Sequence, residues 1–176
     1  MKVVKSAPVW GISVVRSVPV NKMEPQTAIA RTYYNGLFRH GVDEKRRVQI
    51  PAKWRPEESG VEFTMIVWPK AAQGTCLRVL PPEEMARLLS ELNAMPNSDP
   101  NKTVLKRFIG SESVQVTVDK GGRICLPAEM AAAADIKEEV TLVGLVDKFE
   151  IWKPTLYKSV KATDGAMAHE AFKMME

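Results

Sequence analysis

The sequence predicts a mixed α+β chain, dominated by β-strands, in which one strand–turn–strand unit occurs twice and the two copies interlock as a pseudo-symmetric pair. Three observations predict it. Residues 42–52 read Val-Asp-Glu-Lys-Arg-Arg-Val-Gln-Ile-Pro-Ala, and residues 118–128 read Val-Asp-Lys-Gly-Gly-Arg-Ile-Cys-Leu-Pro-Ala. At an offset of 76 (119 − 43), Val42, Asp43, Arg47, Pro51 and Ala52 match Val118, Asp119, Arg123, Pro127 and Ala128, while Val48/Ile124 and Ile50/Leu126 keep the apolar alternation. The downstream pattern also repeats: Leu77, Val79 and Leu80 align with Phe149, Ile151 and Trp152 at an offset of 72, so the second copy is four residues shorter.

In chain order, residues 1–32 have no counterpart in the repeat and read as an N-terminal extension with a candidate strand at 10–18. The first repeat is placed at 33–82: a strand, the Asp43 turn, a strand, a short helix after Pro51-Ala52, then apolar strands at 63–67 and 76–80. Residues 83–110 read as a helical linker. Met85, Leu88, Leu89 and Leu92 recur at helical spacing. Ser98-Asp99-Pro100 offers an N-cap followed by proline, with Val104, Leu105, Phe108 and Ile109 as the apolar stripe of the next helix.

The second repeat is placed at 111–157. Val114, Val116 and Val118 alternate with Gln115 and Thr117, the pattern of a strand with one buried face. Asp119 opens a turn through Gly121 and Gly122, residues that accept positive φ. Residues 123–126 return as a strand, and Pro127 suits the first turn of a short helix, where its missing donor costs nothing. Strands at 140–145 and 149–152 and a helix from Pro154 follow, then a C-terminal tail or short helix at 158–176. A unit of about 45–50 residues is too small to build a generous core alone, which is why interlocking is expected.

Composition narrows the function. The 176 residues are 45% apolar and 26% charged, as in ordinary globular proteins. The longest apolar runs, such as 63–68 and 131–134, fall far short of the ~20 residues a membrane helix needs. The apolar stretch 3–20 is interrupted by Lys5, Pro8, Arg16 and Pro19 and does not read as a secretory signal. Cys76 and Cys125 sit in strand patterns as small hydrophobes, and a reducing cytoplasm is expected. Residues 1–88 carry 14 basic against 8 acidic side chains, and residues 89–176 carry 11 against 13. A basic first half points to an anionic partner, nucleic acid being the commonest.

Catalytic chemistry is not expected. His40 and His169 are the only histidines and nothing in the sequence places either beside a cysteine. No zinc-ligand spacing and no phosphate-binding glycine loop occurs, so neither metal nor cofactor is expected. Trp68 and Trp152 read as core residues, and Trp54 as a packing or interface residue. A single Asp-x-x-x-Arg turn is more often a structural ion pair than a DNA contact, and an exposed pair contributes little stability. Duplication beside basic neighbours is one ground for reading binding instead; the other is the resemblance that the motifs carry.

The two Asp-x-x-x-Arg turns, each followed by apolar-x-apolar-Pro-Ala, resemble the MraZ family of bacterial DNA-binding regulators. The run Tyr34-Asn-Gly-Leu-Phe-Arg-His-Gly-Val-Asp43 is similar to the start of that family's first repeat, and Val140-Thr-Leu-Val-Gly-Leu-Val-Asp-Lys-Phe-Glu-Ile-Trp152 to the ending of its second. The resemblance spans 34–157, about 70% of the chain. It implies tandem AbrB-like swapped-hairpin domains forming an internal pseudo-dimer, assembled into ring-shaped homo-oligomers. It implies a cytoplasmic, nucleoid-associated protein that binds double-stranded DNA at direct repeats in the promoter of the division and cell-wall gene cluster, most often as a repressor. The alternative is a ring-forming scaffold that has lost specific DNA binding.

Carried over by position, Arg47 and Arg123 would contact DNA, forking onto guanine or phosphate. Asp43 and Asp119, repelled by phosphate, would orient the arginines or cap the turns. Lys45, Arg46 and Lys120 would add phosphate contacts that set register, with Arg39 and His40 close enough to join. One departure stands out. The family turn has Gly before its Arg, as at Gly122, but the first copy has Arg46. Either that turn is shaped differently, or it exchanges some geometry for another phosphate contact.

Overall fold

The computed structural model describes residues 32–70 and 74–175; the candidate strand at 10–18 lies outside them. The first repeat supplies β1 (Leu37–Gly41), β2 (Arg47–Gln49), a 3-10 turn at Ala52–Trp54, β3 (Glu62–Lys70) and β4 (Gly74–Leu80). Helices α1 (Pro82–Ala94) and α2 (Pro100–Ser111) lead to the second copy: β5 (Ser113–Thr117), β6 (Arg123–Cys125), α3 (Ala128–Ala133), β7 (Glu139–Gly144) and β8 (Phe149–Trp152). The chain continues into α4 (Pro154–Lys173).

Six strands form one antiparallel sheet in the order β1-β7-β8-β4-β3-β5, and β2 pairs with β6 in a separate ribbon. Exchanging the first four strands for the last four reverses the sheet order without altering it. The first strand of each copy crosses to pair with the third strand of the other: β1 with β7, β5 with β3. The registers obey the same exchange. Val48 faces Ile124, its own counterpart at the 76 offset, and Arg78 faces Glu150, its counterpart at the 72 offset. The fold is thus the β-dominated α+β arrangement expected, with hairpins exchanged between the copies.

Strand alternation divides the sheet between two faces. Phe63, Met65, Leu77, Val79, Val140, Leu142, Phe149 and Ile151 turn inward to meet Val48, Ile50, Ile124 and Leu126 of the ribbon. Trp54 is fully buried among them, its ring edge-on to Phe38 and Tyr34 and tilted against Phe149. On the other face, α1 and α2 cover Ile66 and Leu80, and α4 covers Cys76, Val143 and Trp152. The ribbon is therefore held from behind by the main core, with its front left free.

Several local expectations change. Val116 is buried, but Val114 stays 37% exposed because β5 is the sheet's last strand and has one neighbour only. In α2, Asp99 caps Asn101 N as expected, yet only Ile109 of the stripe is buried; Val104, Leu105 and Phe108 face outward. Pro127 precedes α3 as its N-cap and does not enter its first turn. Cys76 is a buried hydrophobe, whereas Cys125 is exposed because it alternates with buried Ile124 on the ribbon's outer face. The expected break at 157/158 falls inside α4, which runs unbroken to Lys173.

One glycine is fixed by this topology. The segment before β1 lies against the β7–β8 turn, with Tyr34 N donating to Val146 O, Val146 N to Tyr34 O, and Gly144 N to Gly36 O. A Cβ on Gly144 would stand 2.0 Å from the Tyr34 carbonyl oxygen, a backbone atom that cannot swing aside. Gly144→Ala is expected to destabilise the protein by about 1–3 kcal/mol in urea unfolding, the usual range for overpacking. Gly165→Ala, in open space on α4, is expected to leave the midpoint unchanged or raise it slightly.

Candidate nucleic-acid interface

The ribbon positions the two turns. Val48 and Ile124 point into the core, so by alternation Arg47, Gln49, Arg123 and Cys125 point outward. Arg47 stands opposite Cys125 and Gln49 opposite Arg123. The turns at 43–46 and 119–122 lead into opposite ends of this short ribbon, one entering β2 and the other β6. One surface therefore carries both arginines of the repeat.

Each turn is built in the same way. Asp43 Oδ1 accepts from the backbone N–H of Lys45 and of Arg47, both at 2.9 Å, and Oδ2 accepts from Arg47 Nε at 2.8 Å. Asp119 Oδ1 accepts from Gly121 N at 2.8 Å and Arg123 N at 2.9 Å, and Oδ2 from Arg123 Nε at 3.0 Å. The aspartate both caps the turn and orients the arginine. The turns also hold each other. Ile50 N donates to Gly122 O and Leu126 N to Arg46 O, each at 2.8 Å. Gln49 Nε2 reaches Gly121 O at 3.0 Å, while Cys125, its counterpart, points its thiol at Lys45 O at 3.5 Å. Arg123 Nη1 lies 3.9 Å from Asp43 Oδ2, linking the pairs across the ribbon.

The departure in the first turn is resolved by the backbone. Arg46 adopts φ +57°, the left-handed conformation that Gly122 takes at +76°. The first turn keeps its shape and accepts a cost of about 1 kcal/mol or more for a side chain in that region.

The expected residues separate into groups. Asp43, Arg47, Asp119 and Arg123 come together around the ribbon, the arginine side chains about one-third exposed at 31% and 34%. Lys45, Arg46 and Lys120 are exposed on the turns. Arg39 lies back on β1 and is ion-paired with Glu139 of β7. His40 is half-buried on β1, stacked with Phe38, and its Nε2 has no hydrogen-bond partner among the described residues. Gln49 and Cys125 were not among the expected site residues, although period-two alternation with Arg47 and Arg123 marks both. Arg55, whose guanidinium lies over Gly122, was missed as well.

The hydrogen bonds hold both aspartates below the ordinary carboxylate value of 3.8; the main cause is the backbone N–H of Arg47 for Asp43 and of Arg123 for Asp119. A carboxylate depressed in the folded state contributes stability that is fully present above its unfolded value and lost as pH falls through the folded one. The turns are therefore expected to stay intact from pH 7 to about 4 and to loosen only below that. Carbon-13 NMR of the carboxyl groups should show both aspartates titrating below 3.8. Arg47→Ala and Arg123→Ala should each return the matching aspartate only part of the way toward that value, because the backbone N–H remains.

Comparison with known proteins agrees with this arrangement. A family profile described as "MraZ protein, putative antitoxin-like" matches residues 109–174. A "Transcriptional regulator MraZ" of Halothermothrix orenii is 33% identical over 121 residues, covering 68% of this chain and 80% of the relative. The protein of the same name from Clostridium tetani is 32% identical over 117 residues, covering 66% and 79%. That of Acetivibrio thermocellus is 28% identical over 142 residues, covering 81% and 96%. With duplicated turns, an exchanged sheet and relatives of this similarity along most of its length, the chain belongs to the MraZ family of transcriptional regulators.

Proposed function

We propose that this regulator binds double-stranded DNA sequence-specifically through the outer face of the β2–β6 ribbon. Its targets on this reading are direct repeats in the promoter of the division and cell-wall gene cluster, and it acts there as a repressor. The carrying observation is the pair of equivalent Asp-locked arginines on one surface. A two-stranded ribbon fits a major groove ~12 Å wide, where an arginine can fork onto guanine O6 and N7. The exposed lysines of the turns supply phosphate contacts that set register. The division into two AbrB-like repeats, 33–82 and 111–157, joined by the helices of 83–110, belongs to the same proposal.

Ring assembly is supported by the ends of the sheet. Val114 is exposed on the β5 edge and Val104, Leu105 and Phe108 on α2, the helix that leads into β5, while exposed Tyr33, Leu37 and Val146 accompany the β1 edge. Two different apolar surfaces at opposite edges suit head-to-tail contact, which closes into a ring when the rotation allows. Subunits repeated in one orientation match direct repeats, as two-fold dimers match palindromes. Nothing in the described helices is long and apolar enough to cross a membrane.

The scaffold alternative drew on Arg46 in place of glycine and on the N-terminal extension. The left-handed Arg46 removes the first ground; the extension lies outside the described residues. The test is fluorescence anisotropy on DNA from upstream of the cluster, against scrambled DNA of equal length, across a salt series. Selective binding is expected, with log affinity falling by about 0.9 per log unit of salt for each neutralised phosphate. Arg47→Ala and Arg123→Ala should each weaken operator binding roughly 5- to 150-fold, a bidentate base contact being worth ~1–3 kcal/mol, with oligomer mass unchanged in light scattering. Equal, weak binding to both DNAs would favour the scaffold.

A further inference from the structure

We propose that Arg55 is a phosphate-binding residue of the second turn, the counterpart of Arg46 in the first. The inference rests on the DNA-binding reading and extends it to a residue outside the repeated motif. Arg46 Nε donates to Leu126 O at 3.2 Å; Arg55 Nε donates to Ile50 O at 2.9 Å. Leu126 and Ile50 are equivalent at the 76 offset, so the two guanidinium groups occupy matching places although the residues that carry them do not align.

The exchange is reciprocal. Where the first turn has Arg46, the second has Gly122; where the first repeat has Arg55, the second has Ala131. A Cβ on Gly122 would lie 2.3 Å from Arg55 Cζ and 2.6 Å from its Nη1. Arg55 fills the space that a side chain at position 122 would take. Each turn thus has one guanidinium besides that of its Asp-locked arginine, supplied locally in the first and from beyond the 3-10 turn in the second.

Charge argues for binding over mere filling. Arg47 and Arg123 are each neutralised by the aspartate of their own turn. Among the described residues, Arg46 and Arg55 are in no ion pair: each spends Nε on a neutral carbonyl and leaves the rest of its guanidinium without a carboxylate partner. Glu57, Glu58 and Asp119 line a cleft of about 240 Å³ with Arg55; none of them is ion-paired with it, and Asp119 is taken by Arg123. Two guanidinium groups without a carboxylate partner, equivalent across the ribbon and flanking the Asp-locked arginines, are placed to take phosphates on either side of the contacted bases.

The test uses the full chain and the operator and scrambled DNAs in the same salt series. Arg55→Gln and Arg46→Gln keep an N–H donor for the carbonyl and remove the charge. Each should weaken binding to both DNAs alike and reduce the salt slope by at least about 0.9. Arg55→Ala combined with Gly122→Arg copies the first turn's arrangement and should restore the wild-type slope. If Arg55→Gln lowers the unfolding midpoint, this exchange variant decides. A restored slope supports the proposal, and a slope that stays low overturns it. An unchanged slope in a well-folded Arg55→Gln, with Arg46→Gln reduced, would also overturn it and leave the DNA reading intact. Failure of the wild type to discriminate operator from scrambled DNA would instead overturn the DNA reading itself.

Discussion

The antiparallel pairing of β2 with β6, centred on Val48 opposite Ile124, is the constraint on which the remaining structure depends. Each strand is only three residues long, too short to stand as an isolated hairpin. Pairing the copies makes one ribbon whose back, Val48, Ile50, Ile124 and Leu126, is almost wholly inaccessible to solvent. Once those strands meet, β1 and β5 lead away toward opposite ends of the sheet, where they pair with the third strand of the other copy. Buried apolar area then comes from both repeats at once, and a unit too small for its own core shares one. The same pairing puts both turns on the exposed front.

Duplication within one chain also permits asymmetry on the pseudo-two-fold axis. In a dimer of identical chains, a residue on the axis faces its own copy, and a charge there faces a like charge. Here the self-facing position of the central strands holds Arg78 on one side and Glu150 on the other. Arg78 bonds Glu150 Oε1 through Nε and Nη2, Trp152 Nε1 donates to Oε2, and the guanidinium lies 3.9 Å from the Trp68 ring centroid. A glutamate only 2% exposed is tolerable because both oxygens are satisfied and the cation is adjacent. Removing Arg78 would take the cation away from a carboxylate that stays buried, so the pair fixes register at the axis more than it adds net stability.

What was legible in the sequence follows from the range of each interaction. The Asp43 and Asp119 turns close over four residues and carry a local signature, so their residues could be read directly; whether the first keeps the common shape with Arg46 in place of glycine could not. Continuous apolar runs revealed the strands β3, β4, β7 and β8, but such runs do not say which face meets the core, and β8 is buried on both. Strand exchange was legible through the small size of the repeat and the family resemblance, since no local pattern says which copy a strand will join. The Val104, Leu105 and Phe108 stripe shows why: periodicity identified the helix, but which part of the stripe meets the sheet depends on packing, and only Ile109 does. Cys125 was read as a hydrophobe because its strand looked buried, whereas its phase relative to Ile124 sets it outside. Arg55 reaches Gly122 across the ribbon, and that contact leaves a trace only when Arg46/Gly122 and Arg55/Ala131 are compared together.

The two kinds of arginine have different physical uses on the proposed reading. Locking Arg47 to Asp43, and Arg123 to Asp119, removes rotamer freedom before DNA arrives, so less entropy is lost when the fork meets a base edge. That lock also cancels the charge, and a neutralised arginine attracts the phosphate backbone weakly at a distance. Orientation and attraction therefore cannot both be maximal in one residue. The interface separates them: the Asp-locked pair supplies direction, and the unpaired Arg46 and Arg55, with Lys45 and Lys120, supply the field. This accounts for a first turn that accepts a side chain at positive φ. A glycine at 46 would relieve the backbone, but with Ala131 across the ribbon it would leave that turn without a flanking guanidinium.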